Sequence, residues 1–279
     1  MHGRGGPDPA QPRSTGKKAP QPPPIAIRQA LEQGWQGFRR APGTLVLFTL
    51  LVGGVIVGCQ LTIRFSTDNI VNAYGQTDPL AWAISHLARV AWILGFLWLV
   101  VGLLRGADAV LQNTRPRLRD LLRIDGRVLL RTGGSMALEL LVLGVIVRLA
   151  QASAWLLALL EPPLMALPLL AGVVAVVYVL TDQILSLPLC VLGGHGPLDA
   201  FRRGRTAIDP HWLQALGLTL LLGLVVLAGF LLPLVGLAAT LPVAACIQVA
   251  AYRQLFVCGQ PQPPRRRQPQ PVQPQRNRP

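Results

Sequence analysis

Long apolar blocks alternate with short polar and basic segments along most of this chain. The blocks are too long and too uniform for the alternating pattern of a strand or the one-sided pattern of a surface helix. A helix needs about 20 apolar residues to cross the hydrocarbon of a bilayer. Six blocks meet that length, so the sequence predicts an all-α polytopic membrane helical bundle. The predicted spans are residues 44–63, 80–104, 134–152 (or to 160), 164–192, 213–231 and 233–256.

Basic segments with an apolar face precede the first, third and fifth predicted spans. They cover residues 25–41, 105–131 and 193–212. Apolar and aromatic side chains on one helical face, with arginines elsewhere, are typical of helices that lie in the headgroup layer. The sequence therefore predicts interfacial amphipathic helices at these three places. The arginines predicted to contact lipid headgroups are Arg39, Arg40, Arg117, Arg119, Arg123, Arg202, Arg203 and Arg205.

The combination of a basic segment and an apolar hairpin occurs three times, beginning near residues 25, 115 and 197. A spacing of roughly 80 to 90 residues indicates three hairpin repeats. The alternative is that basic flanks and apolar hairpins resemble one another without being repeats. The flanking segments, 1–24 and 257–279, are rich in proline and basic residues and are predicted to be disordered. The membrane domain is therefore predicted to cover residues 25–256.

The distribution of basic residues predicts the orientation of the bundle. Of 26 lysines and arginines, Arg64 lies in a predicted outer loop, and Arg89 and Arg148 lie within spans. The other 23 all lie on one side if the chain has six spans. The positive-inside rule then places both termini in the cytoplasm.

The net charge of +14 raises the question of a nucleic-acid partner. Nucleic-acid binding requires a basic folded face with aromatic residues placed for stacking or groove contacts. Here the aromatic residues lie beside the spans, where the bilayer already explains them. We therefore predict anionic lipid headgroups on the cytoplasmic side as the partner, with a membrane-protein partner as a second option and no nucleic acid.

Sequence motifs for catalysis and metal binding are missing. The chain has no GxSxG, HExxH or phosphate-binding loop, and its 4 cysteines lack any CxxC spacing. We therefore predict no enzymatic activity, no cofactor and no metal site. The pair Gly54 and Gly58 forms a GxxxG motif, which predicts close approach of another helix to the first span.

Ionisable residues inside spans are costly and are candidates for function. Glu139 and Asp182 are predicted at similar depth, where they could line one polar cavity with neighbouring polar residues. The other interpretation is that such groups lie near helix ends and reach water or headgroups. The candidate intramembrane polar site consists of Glu139, Asp182, Arg148, His86 and Arg89.

Two stretches carry a family resemblance. They are ALEQGWQGFRRAPGTL at 30–45, and PLDAFRRGRTAIDPHWLQALGL at 197–218 followed by a hairpin that ends in AAYRQLF. They resemble a bacterial family of six-span integral membrane proteins, related to the membrane domain that accompanies some glycerophosphodiester phosphodiesterases. The resemblance implies a helical bundle with interfacial helices in a bacterial inner or internal membrane. The phosphodiesterase domain is absent, and the resemblance transfers no catalytic residue.

Together these observations predict a non-enzymatic factor that organises membrane lipid or acts as a scaffold for other membrane proteins. The alternative is a transporter or permease for a small solute or lipid. That alternative requires the intramembrane polar residues to face a common cavity.

Overall fold

The computed structural model describes residues 26–68, 78–123, 125–231 and 235–257. The predicted disorder of the tails falls on residues outside these ranges, apart from Val257. Helices account for 89% of the structure and no strand occurs in the described ranges, so the predicted all-α fold is confirmed. The helices are α1 Ile27–Arg40, α2 Pro42–Asp68, α3 Pro79–Leu111, α4 Leu118–Leu122, α5 Gly126–Ala158, α6 Ala166–Asp182, α7 Ser186–Val191, α8 Pro197–Ile208, α9 Trp212–Phe230 and α10 Val235–Phe256.

All six predicted spans are confirmed as helical segments long and apolar enough to cross a membrane. They are formed by α2, α3, α5, α6 with α7, α9 and α10. Consecutive spans pack as three hairpins, α2 with α3, α5 with α6, and α9 with α10. The chain is therefore a polytopic helical bundle.

The last helix, α10, lies at the centre of the bundle. It contacts α1, α2, α3, α7 and α9. In its most apolar window 56% of the residues are buried, against 6% for α5. Ile247 belongs to a core shared with α1, α7, α8 and α9, and Val249 belongs to a second core shared with α2 and α3. The spans α5 and α6 therefore pack at the edge of the bundle.

The first helix, α1, packs against α10 through a face of small residues. Ala30, Gly34 and Gly37 are its buried residues. A Cβ atom placed on Gly34 would lie 2.7 Å from the Cα of Ile247, so only glycine permits this approach. The aromatic side of α1 is open, because Trp35 is 50% exposed. Contact with α10 is thus made by the small residues beside the apolar face, while Ile27 and Phe38 of that face are half-buried against the same core.

The predicted interfacial segment at 105–131 is wrong as a single unit. Residues 105–111 form the last turns of α3, and residues 126–131 form the first turns of α5. The five-residue helix α4 is the only helix between them. Packing explains the extension of α3, because Gly106 lies directly against side chains of Leu45 and Leu121. The predicted loop after the first span is also too long, since α2 continues to Asp68 and includes Arg64.

The fourth span is broken at Gln183–Leu185, between the end of α6 and the start of α7. Pro168 lies in the first turn of α6 and Pro188 in the first turn of α7, where proline is tolerated. Without an N–H group, Pro188 cannot donate to the carbonyl of Ile184, four residues earlier. The amide Nε2 of Gln248 on α10 donates to that carbonyl instead. The break is thus stabilised by the central helix.

The expectation for the GxxxG motif of the first span is wrong within the chain. A Cβ atom placed on Gly54 or Gly58 would meet nothing within 4 Å. The helices α2 and α3 approach closely at Gly102 of α3 instead. The absence of a side chain at this glycine makes room for the ring of Phe48 on α2. The motif therefore does not bring α2 and α3 together.

Candidate functional site

The break in the fourth span forms a buried polar cluster. Thr181, Asp182, Gln183 and Ser186 are at most 3% exposed. Gln183 Nε2 donates to Asp182 Oδ2 at 3.2 Å, and Ser186 Oγ donates to the carbonyl of Gln183 at 2.7 Å. Within the described part of the chain, Thr181 Oγ1, Asp182 Oδ1 and Gln183 Oε1 have no hydrogen-bond partner. Buried polar atoms without partners are costly, so this cluster is a candidate site.

The helix α8 and the start of α9 close over this cluster. A Cβ atom placed on Gly204 would lie 3.6 Å from the carbonyl oxygen of Asp182, so α8 passes close to the break. Tyr178 donates its hydroxyl to Asp209 Oδ1 at 3.1 Å, and its ring stacks on Trp212. Tyr178 lies one helical turn before Asp182 on α6, so its bond to Asp209 brings that carboxylate close to the break. Two carboxylates therefore share this region.

Glu139 lies at a depth similar to that of Asp182, but the two carboxylates do not form one site. Gly172 of α6 faces Ala150 of α5. Since Glu139 comes 11 residues before Ala150 and Asp182 comes 10 after Gly172, the antiparallel helices bring both to similar depth. However, among the described residues the Asp182 carboxylate accepts a hydrogen bond only from Gln183. Glu139 forms no hydrogen bond or ion pair with any described residue, so no polar contact links it to the cluster at the break.

The other three predicted intramembrane residues lie on the outside of the bundle. His86 and Arg89 are exposed on α3, and the His86 ring lies 4.2 Å from the ring of Trp82. Arg148 is exposed on α5 and follows Glu139 by nine residues, which places the two side chains on opposite sides of that helix. The structure therefore does not bring the five predicted residues to a common cavity.

The eight arginines predicted to contact headgroups are all exposed. They lie on α1, on the link between α3 and α5, and on α8. We call this end of the bundle the basic end; it also holds the last turns of α3 and α10. Arg117, Arg119 and Arg123 line an open groove of about 620 Å³ there, together with Asp120. No membrane is part of the structure, so the contacts themselves stay a prediction.

Asp125 fixes the geometry of the link between α3 and α5 at the basic end. It caps α5 by accepting from the amide of Arg127 at 3.2 Å, and it accepts from Arg105 Nη2 at 3.3 Å. Desolvation opposes ionisation of this carboxyl, but hydrogen bonds from the backbone of Arg127 and Val128 and from Arg105 outweigh it. The pKa of Asp125 therefore lies below its usual range.

A polar groove at the basic end was missed by the sequence reasoning. We call it the glutamine groove. Its volume is about 550 Å³ and it lies between α1 and the ends of α3 and α10. The residues that line it are Ala26, Gln29, Gln33, Gln36, Arg40, Leu111, Asn113, Ala250, Arg253 and Gln254. The signal in the sequence is the spacing of four, three and four from Gln29 to Arg40, which forms one helical stripe.

No group of three or more His, Cys, Asp or Glu side chains in the described ranges is placed to hold a metal ion. Comparison of the chain with protein-family models, curated proteins and solved structures finds no match. The functional argument therefore depends on the geometry of the chain itself.

Proposed function

We propose that this chain is a multi-pass protein of a bacterial inner membrane that organises anionic lipid and neighbouring membrane proteins without catalysing a reaction. Both termini face the cytoplasm in this proposal, in keeping with the positive-inside rule and with the resemblance to the six-span bacterial family. One observation carries it: the eight candidate arginines are exposed at a single end, whereas the five intramembrane polar residues face no common cavity.

The loosely packed edge of the bundle supports the organising role. Only 6% of the most apolar window of α5 and 11% of that of α6 and α7 are buried inside the chain. An apolar groove of about 670 Å³ follows this edge, lined by residues such as Leu170, Val174 and Ile146. Apolar side chains on this face are available to acyl chains or to the helices of other membrane proteins.

Lipid retention tests the proposal. The variant Arg117→Gln/Arg119→Gln/Arg123→Gln removes three exposed charges at the basic end. Arg64→Gln/Arg89→Gln/Arg148→Gln is the matched control, since it removes three exposed charges from the opposite half of the bundle. Each arginine near an anionic surface contributes about 1 kcal/mol, so the first variant weakens anionic-lipid retention by up to about 100-fold.

The measurement is mass spectrometry of the lipids that co-purify with each variant in polymer-bounded native discs. We expect the ratio of anionic to zwitterionic lipid to fall at least several-fold in the basic-end variant and to change little in the control. Equal ratios in the wild type, the variant and the control would remove the basis of the proposal.

A transporter is the second candidate, and the broken fourth span favours it. Discontinuous helices with free oxygen atoms form ion and substrate sites in many transporters. Asp182→Asn tests this candidate, and Asp199→Asn on the exposed face of α8 is the control. Flux of a monovalent cation or small solute into proteoliposomes, lost only in Asp182→Asn, would establish transport. If flux into the proteoliposomes does not exceed flux into protein-free liposomes, the transporter candidate fails and the organising role stays as the proposed function.

A further inference from the structure

We propose that the glutamine groove is a binding site for a phosphate-bearing ligand, either the headgroup of an anionic phospholipid or a soluble phosphate ester. The lipid form deepens the proposed function and rests on it, while the soluble form does not. The groove's volume of about 550 Å³ is within the range of small-molecule sites.

The groove presents many hydrogen-bond donors and no carboxylate among its lining residues. Arg40 uses Nη1 to donate to the carbonyl of Val110 at 3.1 Å, which holds the guanidinium at the wall and leaves its other N–H groups available. Arg253 donates from Nη1 to Asp108 Oδ1 at 3.3 Å. Because Asp108 offsets one of the two guanidinium charges, the groove retains a net positive charge of about one.

The amide of Gln254 gives an independent indication of a missing acceptor. Its Oε1 accepts from the backbone amide of Ala26 at 3.2 Å, which fixes the orientation of the group. Its Nε2 is then buried and, within the described part of the chain, without a hydrogen-bond partner. Because Gln254 also lines the groove, a small rotation of its side chain brings this N–H group to a phosphate oxygen there, which is the acceptor that it lacks.

Three glutamines extend the site along α1. Gln29, Gln33 and Gln36 provide amide groups that both donate and accept, in one stripe with Arg40. This set suits a phosphate ester with hydroxyl groups, such as glycerol phosphate, better than inorganic phosphate alone. The C-terminal tail is a poor occupant, because residues 258–279 carry five arginines and no acidic residue.

Calorimetric titration of the full-length protein in uncharged detergent tests the site. The titrants are glycerol phosphate for the soluble form, and dihexanoyl-phosphatidylglycerol against dihexanoyl-phosphatidylcholine for the lipid form. Arg40→Gln and Gln36→Glu change the groove. Arg28→Gln is the matched control, because Arg28 is an exposed arginine of the same helix that does not line the groove and is not among the eight predicted headgroup contacts.

We expect saturable binding of at least one phosphate ligand, weakened about tenfold by Arg40→Gln and by Gln36→Glu and less than twofold by Arg28→Gln. Binding of glycerol phosphate assigns the soluble form, and binding of phosphatidylglycerol alone assigns the lipid form. Absence of saturable binding overturns the site, as does equal weakening by Arg28→Gln and Arg40→Gln. Neither of those results touches the proposed lipid organisation, which the Arg117→Gln/Arg119→Gln/Arg123→Gln variant tests separately.

Discussion

Replacement of Gly34 by alanine isolates the contact between α1 and α10. The added Cβ would lie 2.7 Å from Cα, N and Cγ1 of Ile247, whereas ordinary contact begins at 3.4 Å. Two of these atoms belong to the backbone, so no rotamer change relieves the overlap and the helices separate by about 0.7 Å. Overpacking of this kind costs about 1–3 kcal/mol. Higher helix propensity of alanine offsets up to about 1 kcal/mol of that loss.

Gly58→Ala is the matched control for Gly34→Ala, because it gains the same helix propensity and its Cβ meets nothing within 4 Å. The difference between the two variants therefore isolates a clash of about 2 kcal/mol, or about 4–8 °C in Tm. Thermal unfolding in detergent, followed by the fluorescence of the 6 tryptophans, measures it. We expect a lower Tm for Gly34→Ala and an unchanged or higher Tm for Gly58→Ala. A Tm for Gly34→Ala that equals the Gly58→Ala value would refute the close packing of α1 on α10.

Three further variants test the polar contacts by the same unfolding measurement. Gln248→Leu leaves the carbonyl of Ile184 without its donor, and we expect a loss of about 1–3 kcal/mol; an unchanged Tm would show that this bond does not hold the break. Arg253→Gln leaves the partly buried Asp108 without its ionic partner, so we expect a loss of about 1–2 kcal/mol, most of which the added Asp108→Asn change restores; no restoration would contradict the pairing. Arg148→Leu removes an exposed charge that has no ion pair with any described residue, so we expect unchanged or higher Tm, and a clear decrease would reveal a partner for this arginine.

Hydrophobicity alone was sufficient to predict the membrane bundle. Span length is set by the thickness of the bilayer, so apolar blocks translate directly into helices such as α9 and α10. Helix ends were predicted less well, because they depend on neighbours. Arg105 and Asp108 lie within α3 since their partners, Asp125 and Arg253, are supplied by other parts of the chain. That pairing leaves no pattern in the local sequence.

The glycines also show that a sequence pattern does not by itself predict which helices are in contact. Gly54 and Gly58 match the GxxxG motif but face open space, whereas Gly34 has no glycine four residues away and lies directly on α10. Spacing identifies which residues share a helical face, but it does not identify the helix that faces them.

Candidate polar residues were found in the sequence individually, but their grouping was not. Asp182 was identified because a charge inside an apolar block is costly. Its relation to Asp209 was missed, because Asp209 lies 27 residues later on a segment that folds back over the break. The glutamines of α1 were missed because an uncharged polar residue at the membrane surface has little desolvation cost. Its presence in the sequence therefore does not indicate a functional site.

The central place of α10 has a consequence for how the protein is made. Ribosomes synthesise this helix after α1, α2 and α3, yet all three pack on it. During synthesis the earlier spans therefore sit in the translocon or the bilayer with their inner faces uncovered, among them the small-residue face of α1. Assembly of the bundle therefore has to wait for α10, and a chain truncated before Val235 lacks the helix on which α1, α2 and α3 pack.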